Sequence, residues 1–264
     1  LKFSLDDYKF LSSIKAVQNG YLTYCMQEIG GKIYLNRSSV LEKEKYELRE
    51  IDERNGKQVG KFLKSDDYNH GWNFPLSLEH SNFYSKNSQS PKYIGLFSNL
   101  IMNVTADGVS AAYIVDSRKF VNKDEVLMMQ RVAEGKLEKI DFSGIYSQKR
   151  IHQISRFIES PSKVFFQYLE GDERNYLVYD KASGKTKTSS LFMDDYVSDK
   201  NMIPMDFCYS DERGVVALLK PCFMPHFIKY IINGGKMRTH LDNYSRLIKL
   251  NKDSNPVLFF HEYK

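Results

Sequence analysis

Three copies of one tripeptide are the residues best placed by type to do chemistry. Asp-Asp-Tyr stands at Asp6-Asp7-Tyr8, Asp66-Asp67-Tyr68 and Asp194-Asp195-Tyr196. Carboxylates beside a phenol suit two tasks: oxygen ligation of a hard cation such as Ca²⁺, or hydrogen bonding and ring stacking on a sugar. Brought to one point, Asp7, Asp67 and Asp195 with Tyr8, Tyr68 and Tyr196 would form a binding site. Ca²⁺ takes about 6–8 oxygens, so the copies would have to converge. The plainer account is that each Asp caps a turn and each Tyr packs between neighbouring units. Trp72, the only tryptophan, lies in Asn69-His70-Gly71-Trp72-Asn73-Phe74-Pro75, just after the second copy. There an indole is either a stacking platform for a ligand or a plug between packed units, the plug being the more ordinary role.

Other catalytic patterns are missing from the sequence. His70, His80, His152, His226, His240 and His261 show neither HExxH nor HxH spacing, which argues against a zinc site. His240-Leu241-Asp242 would orient an imidazole, although a surface histidine near a helix start explains it as well. No Gly-x-Ser-x-Gly elbow occurs, and Gly30-Gly31 and Gly234-Gly235 lack the lysine and hydroxyl of a phosphate loop. Cys25, Cys208 and Cys222 are an odd number without CxxC spacing. Cys208 and Cys222 could pair, but buried free thiols are the expected state. The triplets at Asn36, Asn103 and Asn243 fit the N-glycosylation pattern and are given no weight.

Charge excludes one class of partner. The net charge of +5 comes from 38 Lys and Arg against 33 Asp and Glu, interspersed without a run of about five or more like charges. That pattern is a solvated surface and not a nucleic-acid footprint. No apolar run approaches the roughly 18 residues of a membrane span. Leu1 is not a start methionine and no signal peptide is present, so a mature or truncated product is expected.

The elements that must position these residues are strands. Aromatic residues make up 14% of the 264, with 18 Tyr and 17 Phe, which suits strands. Residues 164–169, 176–179 and the run ending Leu191-Phe192-Met193 read as consecutive antiparallel strands, turned at Gly171-Asp172-Glu173 and Ser183-Gly184. Residues 152–158 complete a four-stranded meander. A second repeat supports copying of this unit. Residues 48–57 and 176–185 align on Asp52 and Asp180, each a strand ending in Asp, a turn with Gly56 or Gly184, and a Lys opening the next strand. Each Asp-Asp-Tyr follows an apolar strand end and so marks the link from one unit to the next.

The chain therefore parses into four units. The first opens with the end of an earlier unit at residues 1–5. It continues through strands at 10–17, 21–28, 46–51 and 58–63, with a long charged loop at 32–45. The second has strands at 82–86, 92–97, 100–105 and 109–115, the third spans 152–193, and the fourth begins with 205–209 and 214–219. Two stretches break the β pattern. Residues 122–136 have an Asn cap, early acids, apolar Val126, Met129 and Ala133 and a Gly stop, predicting a short amphipathic surface helix. Residues 225–250 suggest two helical segments broken at Gly234-Gly235, and Pro256 opens a final strand.

At these residues the chain resembles the six-bladed β-propeller family of Bacteroides-type envelope lipoproteins, propellers of the TolB-like or NHL-like kind. The resemblance is carried by Tyr113-Ile114-Val115-Asp116, Glu159-Ser160 before the Val164 strand, Tyr179-Asp180-Lys181 with Gly184-Lys185, and Asp253-Ser254-Asn255-Pro256-Val257-Leu258. It departs where Ser117-Arg118 replaces the family's Phe-Gly and where an early Pro-Gly segment is missing. The resemblance implies an all-β fold, a β-propeller of four-stranded antiparallel blades with short helical insertions. About four blades stand in a single domain over 1–264, with roughly two N-terminal blades of about 40–50 residues each lacking. It also implies a non-catalytic binding or interaction module of the cell envelope, periplasmic or outer-membrane-anchored. Membrane attachment would come only through an N-terminal lipid anchor outside this chain, and the partner would be a small molecule, glycan or envelope protein. The alternative is a Ca²⁺-type hydrolase or lyase using carboxylates at the channel mouth. No other cofactor is expected.

Overall fold

Antiparallel hairpins build most of the molecule. The computed structural model describes residues 2–3, 6, 9–13, 22–38, 45–72, 83–84, 90–134, 136–190, 206–210, 213–234, 241–251 and 253–262. In chain order the strands are β1 (Lys2–Phe3), β2 (Phe10–Ser12), β3 (Leu22–Ile29), β4 (Lys32–Ser38), β5 (Tyr46–Asp52) and β6 (Gln58–Lys64). A one-turn helix α1 (Ser65–Tyr68) leads to β7 (Phe83–Tyr84), β8 (Lys92–Tyr93), β9 (Leu100–Thr105) and β10 (Gly108–Ile114). Helices α2 (Lys123–Ala133) and α3 (Ser143–Ser147) precede β11 (Ile151–Glu159), β12 (Lys163–Glu170), β13 (Glu173–Asp180) and β14 (Lys185–Ser189). The rest is β15 (Asp206–Ser210), β16 (Gly214–Leu219), α4 (Met224–Phe227) running on into a π-turn at Ile228–Ile232, α5 (Tyr244–Leu247) and β17 (Val257–Glu262).

Three sheets have four strands in simple sequential order: β3–β6, β7–β10 and β11–β14. A fourth sheet joins β15, β16 and β17, and β1 pairs with β2. This is the repeated meander expected from the strand and turn periodicity. One expectation fails inside the first unit. The predicted charged loop at 32–45 begins instead with β4, paired on both sides. Gly30 and Gly31 have φ of +58° and +78° and form a two-residue hairpin turn between Ile29 and Lys32, which are partners in register. Pairing with both β3 and β5 places the segment in the sheet, with Tyr34, Leu35 and Asn36 all buried. The strand expected at 10–17 is described only as β2, which pairs with β1 and not with β3.

The chain divides into two compact units, Leu1–Ser155 with Tyr168–Glu173, and Arg156–Gln167 with Arg174–Lys264. In the first, Tyr34, Leu48, Tyr68, Phe83, Tyr93, Met102 and Val104 form one buried cluster linking the β3–β6 and β7–β10 sheets. A second cluster gathers Trp72, Leu96, Phe97, Val121 and Ile145 around the inner face of α2. Helix α2 starts with a complete capping box. Asn122 Oδ1 accepts from the Glu125 N–H at 3.0 Å, and the Glu125 carboxylate accepts from the Asn122 N–H at 2.7 Å. Val126, Met129 and Ala133 are buried as their spacing requires. The left-handed residue that ends the helix is Glu134.

In the second unit β13 and β14 pair from Tyr176↔Ser189 to Asp180↔Lys185, the hairpin foreseen from Ser183-Gly184. One face of the β15–β17 sheet presents Ala217, Leu219 and Phe259 to Met224, Phe227 and Ile231 of the helical segment. Cys222 is exposed and free, against the expectation of a buried thiol. Its place at the mouth of a 3₁₀ turn led by Pro221, outside the sheets, explains this.

Candidate functional site

The second Asp-Asp-Tyr copy shows how a link is built. Leu63, with φ of +61°, turns the end of β6, and Ser65 N–H donates to the Lys45 carbonyl at 2.9 Å. One helical turn follows, closed by Asn69 N–H and Gly71 N–H on the Ser65 carbonyl at 3.0 and 2.7 Å. This turn points Asp66 and Asp67 to solvent and swings Tyr68 inward, where it is 5% exposed. The Tyr68 hydroxyl accepts from Gly95 N–H at 2.9 Å and donates to the Leu100 carbonyl at 3.3 Å. Burial pushes the phenol pKa well above its ordinary value.

Tyr68 borders a buried polar network that the sequence reading did not single out. Glu47, on β5, accepts from Tyr93 Oη at 2.9 Å and from Asn69 Nδ2 at 2.9 Å. Tyr93 accepts in turn from Asn36 Nδ2 of β4. Thus β4, β5, the link after β6 and β8 meet through four side chains. Burial raises the Glu47 pKa to about 7, against the downward pull of the hydrogen bonds from Tyr93 and Asn69. Asn69 Oδ1 is buried and has no partner among the described residues. A 180° turn of that amide would offer this oxygen to a protonated Glu47. A second tie lies nearby: Tyr34 Oη donates to the Thr105 carbonyl at 2.9 Å and lies 3.2 Å from Glu50. Lys32 reaches both Glu50, at 3.0 Å, and the Ala106 carbonyl, at 2.7 Å. The visible signal for both was Glu47-Leu48-Arg49-Glu50, three charges on a strand with neighbours on both sides. Charges on such a strand must find partners or stay unburied.

Trp72 is 3% exposed and packs edge-on against Phe97, with ring centroids 4.9 Å apart at 81°. This is the plug geometry and not a stacking platform open to solvent. Asp67 is exposed, while Asp7, Tyr8, Asp195 and Tyr196 lie outside the described residues. Among the described residues no three His, Cys, Asp or Glu side chains gather as a metal site. His152, at the start of β11, is fully buried between the rings of Phe142 and Tyr146, at 6.2 and 5.7 Å. Its Nδ1 lies 3.3 Å from the Arg150 carbonyl and so carries the proton, and burial holds its pKa below the ordinary histidine value.

Sequential four-stranded antiparallel meanders, tied sheet to sheet through their links, define the β-propeller class. The family model DUF5128, described as a 6-bladed beta-propeller, matches residues 1–217, and the chain belongs to that family. Among solved structures it is similar to the "Putative exported protein" of Bacteroides fragilis NCTC 9343 (TM-score 0.71, 14% identity), over 99% of this chain and 70% of that one. No curated protein matches the sequence.

Proposed function

We propose that this propeller is a non-catalytic interaction module of the cell envelope, carried outside the cytoplasm as the name of its Bacteroides fragilis neighbour suggests for that protein. The observation that weighs most is how the best chemical groups are used. Glu47, Tyr68, Tyr93 and Trp72 are spent on internal hydrogen bonds and packing, which makes a rigid scaffold. Exposed apolar side chains remain at its periphery, Met128 and Val132 on α2 and Leu258 and Phe260 on β17. Rigid sheets with such surface features suit recognition of a protein, glycan or small molecule. On this reading any attachment to a membrane is through an N-terminal lipid anchor. No nucleic acid is expected, given the interspersed charge.

The test pairs binding with turnover. The purified chain is screened by thermal shift against glycans, small molecules and envelope extracts, and assayed on glycoside, ester and uronate-polymer substrates with and without Ca²⁺. A ligand that raises Tm without turnover supports the reading, since binding to the native state alone stabilises it. Ca²⁺-dependent turnover that disappears in Asp67→Asn overturns it in favour of a hydrolase or lyase.

A further inference from the structure

We propose that the groove lined by α5, the turn after it and the start of β17 binds a small zwitterion with an apolar body, a free apolar amino acid or its dipeptide. This rests on the interaction-module reading and narrows its ligand. The groove holds about 760 Å³, inside the range of about 300–1,000 Å³ common for small-molecule sites.

Its lining is largely apolar and held in place from behind. Leu247 and Leu250 line it, and both pack on the buried cluster that includes Ala217, Leu219, Phe227 and Phe259. Pro256 and Leu258 extend the apolar surface, with Leu258 64% exposed. The turn between them is closed on itself. Ser254 Oγ accepts from Asn251 N–H at 2.9 Å, and Asn251 Oδ1 accepts from Asp253 N–H at 2.9 Å. These bonds occupy the side chains of Asn251 and Ser254 and make no use of the Asp253 carboxylate.

Two opposite charges, Arg246 and Asp253, stand on this lining. They do not pair with each other, and neither has an ion-pair partner among the described residues. Other charges of the protein are matched, Arg150 with Glu125 at 2.9 Å and Lys181 with Glu159 at 2.8 Å. The unmatched pair selects the occupant. A ligand with only a carboxylate meets Arg246 but is repelled by Asp253, and one with only an ammonium meets the converse. A wholly apolar ligand strips water from both charges and returns nothing. A zwitterion satisfies both, its carboxylate on the Arg246 guanidinium and its ammonium on the Asp253 carboxylate. Its apolar body then covers Leu247, Leu250 and Leu258.

The probes are L-leucine, L-phenylalanine and leucyl-leucine, titrated into the native chain by calorimetry while backbone amides are followed by NMR. At least one is expected to bind saturably and to move amides within residues 246–258. The two amino acids against the dipeptide tell which form of the zwitterion fits. N-acetyl-leucine lacks the ammonium and leucine amide lacks the carboxylate, and each is expected to bind at least about tenfold more weakly than leucine. Glycine, without an apolar body, is expected to be weaker still. Arg246→Gln should abolish the preference for leucine over leucine amide, and Asp253→Asn the preference over N-acetyl-leucine. Tm should not change in either variant, because both side chains are exposed. The inference is overturned if no probe binds, if both capped analogues or glycine bind as tightly as leucine, or if the shifted amides lie elsewhere. Full affinity in both variants overturns it as well. Failure of the broader reading would appear separately, as turnover in the substrate panel.

Discussion

The ionisation of Glu47 should make the stability of this protein depend on pH in a direction opposite to most carboxylates. Burial raises its folded-state pKa to about 7 from an ordinary 4.5. A carboxyl raised on folding favours the native state while protonated. Its contribution is complete below pH 4.5 and is lost as pH climbs through about 7. The gap of about 2.5 pH units, at about 1.4 kcal/mol each, sets a ceiling of about 3.5 kcal/mol. His152 and His70, both held below the ordinary histidine value by burial, act the other way. Their contributions are present above 6.5 and fall away in acid, so the wild-type curve alone is a mixture. Glu47→Gln isolates the carboxyl. The amide is neutral at every pH and can accept from Tyr93 while donating to Asn69 Oδ1, once the Asn69 side chain turns over. Urea denaturation of both proteins at pH 4.5, 6, 7 and 8 gives the difference in unfolding free energy. That difference should move in favour of the variant by about 1–3 kcal/mol between pH 4.5 and 8, with the change spread over about pH 4.5–7 and little further movement above it. A flat difference across the range, or movement in favour of the wild type, would refute the claim that burial governs this group.

Other perturbations test the same construction. Tyr68→Phe removes the acceptor for the buried Gly95 N–H and should cost about 1–3 kcal/mol in urea denaturation. Gly95→Ala should cost about as much, because a Cβ there lies 2.7 Å from the Tyr68 ring and forces it to move. Trp72 should emit at short wavelength and resist iodide quenching in the native state, and Trp72→Ala should destabilise by about 3–5 kcal/mol. A red-shifted, readily quenched native emission would mean the indole is open to solvent. Asn122→Ala breaks the capping box of α2 and should lower stability by about 0.5–2 kcal/mol, whereas Asn122→Ser should restore most of it.

Much of the fold was readable from local pattern. The β11–β14 meander, its turns at Gly171 and Gly184, the cap of α2 and the strand after Pro256 are all set by interactions within a few residues. Alternation, positive-φ glycines and side-chain caps act over that range, so the sequence itself carries them. β4 departs from the charged loop expected at 32–45 because it finds a partner on each side, in β3 and β5. Charge at strand ends is compatible with either loop or sheet until the partner strand is known.

The candidate site was legible only in outline. Asp-Asp-Tyr marked the link after β6 and its plainer reading allowed for a packed tyrosine, but not for the Gly95 and Leu100 backbone groups that the Tyr68 hydroxyl meets. The network of Asn36, Glu47, Asn69 and Tyr93 joins residues up to 57 positions apart, and no short motif records it. The sequence alone thus determined most strands and the repeating unit, β4 excepted, because hydrogen-bond periodicity and turn geometry are local. Tertiary structure decided which polar groups are buried and how Glu47 ionises. Desolvation and strand pairing depend on neighbours distant in the chain.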